Sequence, residues 1–284
     1  MTASAVPAGP GQSGPAGRPA SAVRVPGPWA MAVRELRSWL TNYRRTWRGS
    51  IYSSVLNPVL YLGAMGIGLG TLVDKHGVSA LGGVSYLVFL APGLLAAEAM
   101  QTATSESTYP VFGSVKWRGT YLAAAATPLR PADILRGHLL FTAMRLAVNA
   151  AFFILVMAAF GAIRSAWVVL TIPSAVLMGL AFATPIEAFA ISRKNANDFA
   201  ILFRFGMIPM FLFSGTFFPV SQLPAWIRPL AYATPLWHGV ALCRSFSLGT
   251  ASVAGTLAHV GYLAAIAAGG LILAQRCYRR RLSV

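Results

Sequence analysis

Residues 49–73 read GSIYSSVLNPVLYLGAMGIGLGTLV, a run with no charged side chain. A helix of about 20 apolar residues crosses the hydrocarbon of a bilayer, so this run predicts a membrane span. Arg44, Arg45 and Arg48 precede it, and Asp74 and Lys75 follow. Runs of the same kind recur along the chain. They predict further spans at 84–106, 139–162, 166–191, 202–219 and 254–275. The expected fold class is therefore all-α: a polytopic membrane protein of six transmembrane helices.

Composition agrees. Of 284 residues, 56% are apolar and only 11% charged, against about 25% charged in a soluble domain. Disorder over most of the length is excluded, because so apolar a chain does not stay dispersed in water. Two cysteines do not staple a scaffold of this length. The net charge of +16 is not that of a nucleic-acid domain. Such a domain gathers its cations on one wet surface, whereas these fall in short clusters between apolar runs.

Those clusters set an orientation. One side collects the basic residues of 34–48, 116–136, 193–194 and 276–281. The other holds Lys75, Arg164, Arg228 and Arg244. Cytosolic connections carry the excess of Lys and Arg, so both termini are expected in the cytosol, with 282–284 as a short cytosolic end. Cys243 and Cys277 then fall on opposite sides of the membrane.

Residues 1–27, rich in Pro, Gly, Ser and Ala, form a disordered tail without the apolar core of a signal peptide. In 28–48, Trp29, Val33, Leu36, Leu40, Tyr43 and Trp47 recur at helical spacing as one apolar stripe. Arginines lie off the stripe, the pattern of an amphipathic helix in the membrane interface. The segment 220–243 contains Pro224, Pro229 and Pro235 among apolar and Trp residues. It predicts short helices dipping into the outer interface, where protein must cover their open backbone groups.

No motif for catalysis is present: no phosphate loop, no His-Glu-x-x-His and no Cys-x-x-Cys. The histidines fall on different segments, which argues against a metal site. Gly66-x3-Gly70 reads as close helix packing. Four charges, Glu98, Arg145, Glu187 and Arg204, lie within predicted spans near the cytosolic side. Buried ionisable groups in lipid usually pair, so Glu–Arg pairing is the first expectation, with snorkelling or a transport role as alternatives. The loop 107–137 holds Lys116-Trp117-Arg118-Gly-Thr-Tyr121 and then Thr127-Pro128-Leu-Arg130-Pro131-Ala-Asp133. Pro131 suits a helix's first turn, and Asp133 its positive end. A short helix displaying cations and aromatics predicts a docking element.

Three stretches carry a resemblance. Thr127-Pro128-x-x-Pro131-x-Asp133-Ile134-Leu135-x-Gly137 is similar to the cytoplasmic-loop motif of type-2 ATP-binding-cassette (ABC) exporter permeases. Phe213-Ser-Gly215-Thr-Phe-Phe218-Pro219, followed by Leu223-Pro224, Pro229-Leu230 and Pro235-Leu236-Trp237-His238, is a second match. Asn57-Pro58 is a weaker third. The likeness spans 28–281 and is to the NodJ and daunorubicin-permease branch.

The resemblance implies a permease subunit in a bacterial plasma membrane, with no catalytic residue, metal or cofactor of its own. ATP and Mg would belong to a cytosolic nucleotide-binding partner, and the permease would form a homodimer. Trp117, Arg118, Tyr121, Pro128, Arg130 and Asp133, with the helix 28–48, would couple ATP-driven closure to the spans. Phe213, Gly215, Phe218, Pro219, Trp226, Trp237 and His238 would form the external gate. The cargo would be a drug, polyketide, lipid or lipid-linked glycan. Two other readings remain: a stand-alone transporter or channel, which needs polar groups at mid-membrane, and an integral-membrane transferase, which needs acidic or His clusters at one interface.

Overall fold

The computed structural model describes residues 27–77 and 83–283. All of the predicted tail except Gly27 lies outside the described residues, as does residue 284. Among the described residues every regular element is helical, as the sequence predicts. Five helices are long and apolar enough to cross a membrane: Val55–Asp74, Tyr86–Lys116, Pro131–Ala159, Ala166–Ser192 and Val253–Leu282.

The first of them begins later than predicted, because the boundary at 48/49 is not a break. α1 (Pro28–Tyr61) runs straight through it, continues as a π-helical stretch Leu62–Leu69, and ends as α2 (Gly70–Gly77). Pro58 supplies a reason for the change of winding. It has no N–H to give the ladder, and the Leu62 N–H reaches the carbonyls of both Pro58 and Val59. The wider turns that follow are tolerated by the glycine-rich LGAMGIGL. Gly66 and Gly70 lie against Leu87 and Tyr86 of α3 (Tyr86–Ser107), so closely at Gly66 that a Cβ there would collide with the Leu87 side chain. That is the close packing expected of the Gly-x3-Gly pair.

The loop 107–137 is mostly helix. Thr108 turns the chain sharply between α3 and α4 (Tyr109–Lys116), and Gly119, at φ 65°, starts α5 (Thr120–Ala125). α6 (Pro131–Ala159) begins at Pro131 as predicted, and the Asp133 carboxylate accepts the Arg130 N–H at 3.2 Å. After a 3-10 turn at Ala166–Leu170, α7 (Thr171–Ser192) takes the centre of the bundle and packs on α3, α6, α11 (Pro235–Leu248) and α12 (Val253–Leu282). Small residues let it do so: Ser174, Ala175, Gly179, Ala181 and Ala183 are among its buried positions. Such residues let helix backbones approach closely where lipid offers no hydrophobic drive.

The helix at the predicted span 202–219 has earlier bounds. α8 (Asp198–Ile201), a π-helical stretch Leu202–Met207 and α9 (Ile208–Phe213) make one helical run, about 24 Å long at the helix rise. It stops because Ser214 leaves the helix and Gly215 takes φ 81°. The prolines then break the chain into a 3-10 turn Val220–Gln222, α10 (Arg228–Tyr232) and α11, which continues past the predicted 243 to Leu248. α11 packs against both α3 and α7. Gly239 sits on Met178 so closely that a Cβ would lie 3.2 Å from that of Met178, while Ser247 O, at the other end, accepts the Arg164 N–H.

The larger apolar core fills the middle of the bundle, with Leu90, Met100, Leu146, Met157, Met178 and Leu242 at its heart. A second core lies at the end carrying the basic segments and joins Phe112, Tyr121, Ile134, Leu135, Phe199 and Tyr278. These two ends are called the basic end and the gate end below.

Candidate functional site

At the basic end α1 lies alongside α6. Gly137 makes the contact possible, since a Cβ there would stand 2.8 Å from the Ala32 carbonyl and 2.5 Å from Glu35 Cβ. Trp39 stacks on His138 (4.4 Å, 28°) and Phe141 (5.5 Å, 27°), and Tyr43 meets Phe141 edge-on and the Arg145 guanidinium at 5.0 Å. The contacts advance in step along both helices. α1 therefore climbs beside α6. The face it buries is different from the predicted stripe. Ala32 and Glu35 are buried while Trp29 and Val33 are exposed, so the protein takes a face about a quarter turn away. Of the predicted stripe, Leu36 and Leu40 are half-buried and Tyr43 packs on α6.

Glu35 accepts the Trp39 Nε1–H at 3.0 Å. Burial holds its carboxyl above the usual carboxylate range, with the Trp39 bond and His138 pulling it back. A raised acid favours the folded state when protonated, and that contribution is lost as pH rises through the folded value. Glu35→Gln is therefore expected to raise Tm slightly at pH 7. The gain should vanish below the unfolded carboxyl range near about 4.3. A pH series of melting temperatures on both proteins checks it, and a lower Tm for the variant at pH 7 would refute it.

α6 carries a polar stripe that sequence reading did not single out. His138, Thr142, Arg145 and Asn149 recur at spacings that put them on one face, and all are buried or nearly so. Arg145 pairs with Glu106 at 2.6 Å, and Asn149 Nδ2 donates to Thr102 Oγ1 at 3.1 Å. His138 Nδ1 lies 3.1 Å from Glu187 Oε1, and Tyr278 donates to Glu187 Oε2 at 2.9 Å. His138 and Glu187 have no exposed surface.

A Glu–Arg pair thus occurs at the predicted Arg145, but its acid is not one of those predicted. Arg145 takes Glu106 instead of Glu98 or Glu187, because α3 presents Glu106 at the level of Arg145. Glu187 is served by a histidine and a tyrosine. Glu98 is half-buried in a crevice lined by Tyr61, Gln101, Phe153 and Phe211. Arg204 is exposed.

Two of the predicted coupling residues are internal. Tyr121 is 1% exposed, packed against Trp39 and Tyr278, and Asp133 is 2% exposed as the cap of α6. Trp117 and Arg118 are exposed, as are Pro128 and Arg130. Trp117 is braced edge-on against Phe112 at 5.4 Å, and Arg118 bonds Ser114 Oγ at 3.0 Å. A cavity of about 280 Å³ opens between this hairpin and α1, lined by Glu35, Trp39, Asn42, Ser114, Arg118 and Tyr121.

At the gate end the structure gathers part of the predicted set. Ser214 and Thr234 share a hydrogen bond at 2.8 Å, Gly215 lies under Val220 and Trp237, and Trp237 meets Tyr232 edge-on at 4.8 Å. Phe218 and Trp237 join the small core of Val220, Leu223 and Ala231, with Pro219 at its edge. His238 and His259, far apart in sequence, meet through their Nδ1 atoms at 2.8 Å, and Tyr262 stacks on His238. Phe213 and Trp226 face outward. Cys243 is buried.

Apolar helices of spanning length, with an enclosed polar cluster at one end and a folded-in loop at the other, mark a membrane-embedded protein. The chain belongs to the ABC-2 type transporter family, whose model matches residues 29–247. It is similar to Nodulation protein J of Rhizobium leguminosarum bv. trifolii, 33% identical over 253 residues that cover 86% of this chain and 94% of the relative. Nodulation protein J of Rhizobium meliloti (strain 1021) is 30% identical over 266 residues, covering 89% and 99%.

Proposed function

We propose that this chain is the membrane permease subunit of an ATP-driven exporter, and that two copies each seat a separate cytosolic ATPase at the basic end. The excess of Lys and Arg supports placing that end in the cytosol. The run Asp198–Phe213 then serves as the fifth of six crossings and returns the C-terminus to the same side. Exposed apolar residues on α1 and α9, among them Leu56, Leu60, Ile208 and Leu212, suit a second copy or lipid. The cargo is hydrophobic or amphiphilic.

One observation carries the reading. Trp117, Arg118 and Arg130 are presented to solvent by a hairpin whose base is locked inside, through Tyr121, against Trp39 and Tyr278. Exposed aromatic and Arg anchors are the residues that dominate interfaces, and a rigid base passes their displacement on to the spans. Trp117→Ala or Arg130→Ala is expected to cost more than about 1 kcal/mol of docking. Substrate-stimulated ATP turnover by the purified complex should fall with it. Unchanged turnover in both variants, or hydrolysis by this chain alone, would reject the assignment.

A further inference from the structure

Arg244, on α11, is a cation held by backbone instead of by an acid. Its Nε donates to the Phe89 carbonyl at 3.2 Å and its Nη2 to the Gly215 carbonyl at 2.9 Å. Its Cζ stands 3.8 Å from the centre of the Phe89 ring. The ion pairs among the described residues are Arg136–Asp133, His138–Glu187, Arg145–Glu106 and Arg193–Asp198, and none reaches Arg244. Asp74, the acid nearest the gate end in sequence, is engaged by the Tyr86 N–H at 2.8 Å.

The guanidinium closes a tight joint. A Cβ on Gly93 would lie 2.9 Å from the Thr216 carbonyl and 3.1 Å from Arg244 Nη2, so α3, the loop Ser214–Phe218 and α11 meet there with no room to spare. Thr216 is fully buried, and its hydroxyl has no hydrogen-bond partner. Charges placed within membrane proteins are costly, normally pair, and mark the paths of ions and substrates. Carbonyl dipoles and a ring face offset part of the cost. A phosphate or carboxylate accepts a guanidinium through two parallel bonds and carries the opposite charge, whereas each carbonyl offers one neutral oxygen, so an anion that reaches Arg244 competes with the two carbonyls.

We propose that Arg244 is the receptor for an anionic headgroup, a phosphate, sulfate or carboxylate, on the amphiphile that leaves through this gate. Taking up the anion frees the Gly215 carbonyl and with it the loop Ser214–Phe218. This rests on the exporter reading above, but its test needs no ATPase.

The test is the labelling rate of Thr216→Cys by a hydrophilic maleimide, in the full chain carrying Cys277→Ser in a nonionic maltoside detergent. The same background without Thr216→Cys measures the buried Cys243 for subtraction. Decyl phosphate is expected to speed labelling about tenfold, equivalent to about 1.4 kcal/mol of opening. Decyltrimethylammonium should leave the rate unchanged. Arg244→Met should label rapidly without any probe and ignore decyl phosphate. Arg244→Lys, which keeps the charge and loses the two-pronged grip, should start faster than the parent and still respond. Equal acceleration by the ammonium amphiphile, or a decyl phosphate response that survives Arg244→Met, would overturn the assignment. Equal acceleration by inorganic phosphate alone would overturn the amphiphile part of it. None of these outcomes bears on ATP turnover, so the exporter reading stands or falls separately.

Discussion

Glu187→Ala is expected to unfold well below the parent, at a cost of about 3–5 kcal/mol, the range for removing one partner of a buried pair. Its carboxylate has no exposed surface and is met from two sides, by His138 Nδ1 at 3.1 Å and Tyr278 OH at 2.9 Å. The truncation strands both groups and leaves a void between α6, α7 and α12. Tyr278→Phe removes one bond only and should cost about 1 kcal/mol. If the three groups act as a unit, His138→Ala combined with Glu187→Ala will cost less than the sum of the single losses. Melting temperatures of the parent and the four variants in one detergent decide it. A drop under about 1 kcal/mol for Glu187→Ala would show that the cluster contributes little to stability.

Gly270→Ala should be the next most damaging change, at about 1–3 kcal/mol for overpacking, while Gly269→Ala should stabilise by up to about 1 kcal/mol. The two glycines are neighbours on α12, but only Gly270 touches α7. A Cβ there would lie 2.6 Å from Pro185 Cδ and 2.8 Å from Pro185 N, against backbone that has nowhere to go. Thr184, beside that proline, donates to the Ala267 carbonyl at 3.1 Å, so separating the helices also breaks a bond. At Gly269 an added Cβ meets nothing within 4 Å. Equal melting temperatures for the two variants would remove the close α7–α12 approach as a source of stability.

The apolar runs made the all-helical membrane fold legible, and the prolines of 220–243 marked where the chain breaks. What stayed hidden depended on contacts between helices. Nothing in the sequence says that α3 brings Glu106 to Arg145 and leaves Glu98 in a crevice. The polar stripe His138, Thr142, Arg145, Asn149 was readable by its spacing, yet long apolar stretches around it conceal a period of that kind. Tyr121 looked like a docking aromatic because loops are usually exposed. It is buried because Trp39 and Tyr278, from opposite ends of the chain, converge on it. Gly215 was legible as part of a motif, whereas the Arg244 that holds its carbonyl lies outside that motif.

The uninterrupted path from Pro28 to Gly77 has a mechanical consequence. A helix without a break behaves as a shaft: a twist applied near Trp39 reaches Tyr61 with little slack, since each turn is tied to the next by its hydrogen-bond ladder. The compliance is concentrated in one place, the π-wound Leu62–Leu69, where Gly63, Gly66 and Gly68 leave the winding soft. The shaft thus ends in a universal joint that bears on Leu87 and Tyr86 of α3. A torque applied at one end of the molecule would be delivered to the element that also carries Phe89 and Gly93.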